Sequence, residues 1–170
     1  MSKCLGTTCW ARALTVAVVA LVAASCGQAK VAEQAFYAQA AGQPVLIAFR
    51  STPFKDAVAK RIVEGMANRN HPVRMIDTEK LVPGCERGCA AVVVMDSVRA
   101  GGLSGPVGRF LAGAADKQVI VLVPTSGRGT WAPRDRGIDA ITGASRLDRV
   151  EDVANAVLER VSRRLGERKG

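Results

Sequence analysis

Three loops, two thiols and one late serine hold the side chains of this 170-residue chain that can do chemistry. The first loop, Arg50-Ser51-Thr52-Pro53-Phe54-Lys55-Asp56, sets two hydroxyls and two cations before a helix, a composition suited to an anion. The second, Ser97-Val98-Arg99-Ala100-Gly101, offers a guanidinium that can stack on a ring or hold a phosphate. The third opens on Thr125-Ser126-Gly127, with Trp131 further along it as a candidate aromatic plane. Cys85 and Cys89 stand four apart in Val82-Pro83-Gly84-Cys85-Glu86-Arg87-Gly88-Cys89. They can close a small disulfide loop in an oxidising compartment or remain two free thiols. A metal site is disfavoured, because only His71 is left to join them. His71 is the sole histidine and precedes Pro72, away from the loops. No Ser/His/Asp or Cys/His set can then be assembled, so hydrolase chemistry is disfavoured and no catalytic residue is assigned.

The N-terminus reads as a targeting segment. Lys3 and Arg12 make a positive start with no acidic residue, and Ala13–Ala24 is an apolar run broken only by Thr15. The run is short for a membrane span and right for a signal core. Val22-Ala23-Ala24-Ser25-Cys26 then resembles a lipobox, with Ala23 where leucine is usual. This implies acylation of Cys26 and a lipid anchor on the outer face of a bacterial membrane or in the periplasm, the alternative being an ordinary secretory leader cut nearby. The expected organisation is a signal peptide over 1–25, a tether over 26–44 with a helical turn or two, one domain over 45–166 and a basic tail over 167–170. The formal charge is +9, two less once Lys3 and Arg12 leave. In an exported chain with no interleaved basic and aromatic residues, that charge reads as solubility and surface attraction rather than nucleic-acid binding.

The loops need a scaffold, and the body alternates short apolar strands with amphipathic helices. Strands are expected at Val45–Phe49, Pro72–Ile76, Ala91–Met95, Val119–Val123 and, weakly, Ile138–Thr142. Thr52 and Pro53 read as cap and first turn of a helix to Asn68 that buries Val58, Ile62 and Met66. A second helix is expected from Pro106 to Ala114. A third is expected after Asp148, with Glu151 completing a capping box and Arg163 and Arg164 in its last turn. Only a short helix, or none, fits between the second and third strands. The alternation predicts an α/β three-layer sandwich with a five-stranded parallel sheet, strand order 2-1-3-4-5.

Ala91–Leu111 (AVVVMDSVRAGGLSGPVGRFL) resembles the third strand, flavin loop and following helix of the flavodoxin family, and Val121–Gly127 (VLVPTSG) resembles its fourth strand and second flavin loop. The resemblance covers about Val45 to Leu165. It implies FMN, bound with Arg50, Ser51, Thr52 and Lys55 near the phosphate. It implies Ser97, Val98, Arg99, Ala100 and Gly101, with Thr125, Ser126 and Gly127, around the ring. Phe54 and Ala57 replace later hydroxyls of the family's phosphate loop, and Arg99 stands where a stacking aromatic is common. Asp139-Ala140-Ile141-Thr142-Gly143-Ala144-Ser145 is similar to the flavinylation motif of exported FMN-binding domains, which implies covalent FMN at Ser145. The same residues also read as a plain strand and turn. The implied function is electron transfer in the cell envelope to a redox partner protein, as a carrier rather than an enzyme with its own substrate. Two alternatives stay open: a degenerate, cofactor-free interaction module, and a flavin-dependent reductase.

Overall fold

The computed structural model describes residues 28–126, 131 and 137–166; Cys26, Gly127 and the segments read as signal peptide and basic tail lie outside them. The most apolar segment, β2 (Val45–Phe49), is buried along its whole length. Successive side chains of a strand point to opposite faces, so Val45, Ile47 and Phe49 enter one core and Leu46 and Ala48 the other. Such a strand is stable only when helices cover both sides. Around it lie β3 (Val73–Ile76), β4 (Ala91–Ser97), β5 (Ile120–Ser126) and β6 (Asp139–Ala140), all parallel. Their spatial order β3-β2-β4-β5-β6 is the expected 2-1-3-4-5.

α1 (Pro53–Ala67) and α3 (Val150–Arg164) bury Val58, Ile62, Met66, Val153, Val157 and Val161 against one face. α2 (Gly105–Gly113) covers the other with Val107, Phe110 and Leu111. The β3–β4 connection holds only a 3₁₀ turn, Thr78–Lys80, as the short spacing predicts. The architecture is a flavodoxin-like three-layer α/β sandwich.

Three local expectations are corrected. Within the segment read as a tether, Gln34–Phe36 forms β1, which joins the β3 edge antiparallel. Glu33 pins it by ion pairs to Arg74 and Lys80. The fifth strand divides into β6 and β7 (Gly143–Ala144), which pair with β5 at Val121–Leu122 and at Thr125–Ser126. Leu122 O accepts Ile141 N–H, so Pro124, two residues on, faces the same side with no N–H to donate, and the ladder lapses there. The capping box does not form. Asp148 pairs with Arg146, Glu151 with Arg61, and a 3₁₀ turn at Leu147–Arg149 leads into α3 without a side-chain cap.

Candidate functional site

In an open parallel sheet the crevice for ligands lies beyond the strand C-termini where strand order reverses; here that is between β2 and β4. The loop before α1 is spent on its own structure. Thr52 Oγ1 caps the helix by accepting Lys55 N–H at 3.3 Å, and Pro53 contributes no N–H. Ser51 Oγ donates to the Asp56 carboxylate at 2.7 Å. Arg50 turns away to the 3₁₀ turn, with Nη2 2.8 Å from Glu79 and Nε 3.8 Å from Asp77. The side chains of Arg50, Ser51 and Thr52 are thus engaged with protein partners, although Arg50 Nε is buried without a hydrogen bond.

Lys55 differs. Its side chain runs inward from the first turn of α1, is 1 % exposed and donates from Nζ to Ser97 Oγ at 2.9 Å. Among the described residues no carboxylate forms an ion pair with it. Burial lowers its pKa from 10.5 to about 8, against the pull of the Asp96 charge and helped by Arg99. An ammonium without a counter-ion is costly to bury, and an anion brought beside it removes that cost.

Ser97 is the junction of the crevice. Thr125 Oγ1 donates its one hydrogen to the Asp96 carbonyl at 3.0 Å. At the 3.3 Å contact between the two hydroxyls, Ser97 is therefore the donor. Ser97 Oγ accepts from both Lys55 and Gln28 Nε2. Asp96, 2 % exposed, accepts Ser104 N–H at 2.6 Å and so places its charge at the N-terminus of α2. Beyond Val98, whose N–H donates to Thr125 O, Arg99 and Gly102 exchange backbone hydrogen bonds around a tight turn. Ala100 (φ 48°) and Gly101 (φ 78°) are left-handed there. Trp131 Nε1 donates to Gly101 O at 2.8 Å, so this Trp braces the turn. Arg99 itself is exposed.

Ser145 follows β7 directly, and its N–H donates to Ser126 O at 3.4 Å. The residue is exposed. The register thus brings Ser145 to the same sheet edge as Thr125 and Ser126. Asp139, the first residue of that motif, is held by Arg160 and Arg164 at 2.8 and 3.1 Å. Burial pushes its carboxyl up, but the two guanidinium bonds outweigh this and leave it below its ordinary value. Cys85 and Cys89 precede β4 at the opposite end of the sheet. They are free thiols, so the disulfide alternative is not the one present; Cys89 Sγ instead donates to Cys85 O at 3.5 Å. Burial raises both pKa values, which disfavours the reactive thiolate.

Sequence reasoning missed Gln28, which was placed in the tether, and Asp96, whose one signal is a carboxylate ending an apolar strand. No group of three or more potential metal-binding side chains occurs among the described residues.

No family model matches the chain, and no curated protein does. Among solved structures, it is similar to a flavodoxin from Streptococcus pneumonia TIGR4, with TM-score 0.51 and 10% identity over 71% of this chain and 97% of that one. It is likewise similar to the flavodiiron protein from Giardia intestinalis, with TM-score 0.51 and 10% identity over 77% of this chain but only 38% of that one. A flavodoxin from the domain Archaea gives TM-score 0.48 and 16% identity over 70% and 99% of the two chains. At these identities the likeness concerns the fold.

Proposed function

We propose that this chain binds FMN in the crevice between β2 and β4 and carries electrons in the cell envelope, held to a membrane through acylated Cys26. The observation that carries this reading is Lys55: a buried ammonium at the strand C-termini whose described partner is a neutral hydroxyl. The residues that fit the cofactor are Lys55 for its anionic phosphate and Ser97 and Thr125 for polar groups beside it. The flavin, when bound, supplies the redox chemistry. The protein's part is to neutralise the phosphate, to keep water from the crevice, and through Arg99 to add positive charge at the rim. Ser145, exposed on the same edge, is the position for a covalent link. Such a link would retain a flavin that the engaged Arg50, Ser51 and Thr52 do not hold.

A second reading, a cofactor-free interaction module, draws on one specific observation: the side chains of Arg50, Ser51 and Thr52 already engage partners within the fold. An absorbance spectrum separates the two. The exported protein is co-produced with a flavin transferase and its spectrum taken before and after acid precipitation. Flavin absorbance that stays with the pellet, and is lost in Ser145→Ala, is the expected result for covalent attachment. Flavin released to the supernatant means noncovalent binding and removes Ser145 from the account. A colourless protein that also fails to take up added FMN overturns the flavin reading and leaves the interaction module.

A further inference from the structure

The crevice has an occupant of its own. The segment Gln28–Val31 crosses the C-terminal ends of β2 and β4 and is fixed there by four contacts of different kinds. The Gln28 carboxamide donates to Ser97 Oγ. Ala29 bridges Ser51 and accepts its N–H at 2.9 Å. Lys30 pairs with Glu79 at 3.1 Å. Val31 N–H donates to the buried Asp77 carboxylate at 3.0 Å.

A tether has no need of such contacts. Two of them fall on Ser51 and Ser97, which belong to the first and second loops of the candidate site. Gln28 meets the very hydroxyl that accepts from Lys55, and Lys55 is itself only 1 % exposed. The hydrogen-bond count of Ser97 is also full. It accepts from Gln28 and Lys55 and donates to Thr125, so a ligand group that needs this oxygen must displace one of them.

We propose that Gln28–Val31 is a strap that closes the Lys55–Ser97 crevice, and that FMN binds in competition with it. The proposal rests on the flavin reading for its ligand, while the closure itself can be tested without any ligand. A site open for only a fraction of the time shows its affinity reduced by that fraction. Loosening the strap therefore tightens binding, and strengthening it weakens binding.

Two variants of the mature chain push in opposite directions. Gln28→Ala with Val31→Pro removes the carboxamide and the N–H bound to Asp77. Gln28→Glu gives up the hydrogen bond donated to Ser97 but puts a carboxylate beside the Lys55 ammonium, and this ion pair holds the strap more firmly. Acylation of Lys55 by an amine reagent, read by mass spectrometry against exposed Lys60, reports the closure. Flavin fluorescence quenching reports FMN affinity.

The loosened variant is expected to label Lys55 about tenfold faster and to bind FMN about tenfold more tightly, and Gln28→Glu to slow labelling and weaken FMN. Mere loss of stability cannot produce this pair, because it speeds labelling in both variants. Unchanged labelling of Lys55 in the loosened variant overturns the strap. So does faster labelling with a measurable but unaltered FMN affinity. Labelling that responds in opposite directions, with no FMN bound by any variant, supports the strap and overturns the flavin reading instead.

Discussion

At the scale of single residues, Lys55 is the one that folding alone does not explain. A methionine of similar length would fill the same space without a buried charge. Its titration gives a test whose sign is fixed. The folded-state pKa is near 8 and the ordinary value is 10.5, so below about pH 8 the amine is protonated in both states and the burial penalty is felt in full. Between these values the unfolded chain holds a proton that the folded chain has lost, and stability rises with pH. Lys55→Met is therefore expected to be more stable than the parent at pH 7, with the advantage shrinking between pH 8 and 10.5. Urea unfolding of both proteins across that range measures it; an advantage that does not change with pH means the amine is not held as described. The same substitution removes the cation offered to a phosphate, so FMN affinity should fall about tenfold or more, in the range of a lost charge-assisted hydrogen bond. A variant that is sturdier yet binds less is the mark of a residue retained for a ligand.

At the scale of elements, two glycines of α2 separate helix propensity from packing. A Cβ on Gly108 meets nothing within 4 Å, whereas one on Gly113 would lie 2.7 Å from Cγ and 2.9 Å from Cβ of Pro83. The proline ring cannot swing aside. Gly108→Ala is expected to stabilise by up to about 1 kcal/mol, from helix propensity alone. Gly113→Ala is expected to destabilise by about 1–3 kcal/mol, from overpacking. Equal effects in urea unfolding would contradict the Pro83 contact. The elements also show what could be read in advance. β2, α1, β3 and the missing crossover helix were legible because apolar runs, the Thr52-Pro53 start and loop length are local signals. The ends of β4 and β5 were read short, since Asp96-Ser97 and Pro124-Thr125-Ser126 look like loop residues until the partner strand supplies their hydrogen bonds. Thr52 was read both as a helix cap and as a residue near a phosphate, and its hydroxyl is seen in the first role. Lys55 was legible as a cation near the site, but its partner Ser97, and the Gln28 that shares that hydroxyl, lie far away in sequence.

At the scale of the whole molecule, the sheet order brings residues from three loops to one edge, and the chain ahead of the domain returns to that same edge. Gln28 already touches Ser97, and Cys26 precedes it by two residues, a reach of at most about 7 Å. An acyl anchor on Cys26 would thus hold the crevice close to a bilayer surface, where the strap would be under the constraint of the anchor. Among the described residues no helix is long and apolar enough to cross a membrane, so membrane attachment in this reading depends on the lipid. A bare Cys26→Ser change is a poor test, because it also blocks cleavage at a lipobox and leaves an apolar leader in place. The informative comparison replaces residues 1–25 with an ordinary secretory leader and changes Cys26 to Ser together, so that cleavage no longer depends on the cysteine. The parent is expected in the membrane fraction with an acylated N-terminal peptide by mass spectrometry, and the altered protein in the soluble fraction with its thermal unfolding unchanged. Acylation contributes about 0.8 kcal/mol per buried methylene, and one chain gives only reversible binding. A peptide bearing fewer than two chains, or an altered protein that still sediments with membranes, would therefore refute the anchor.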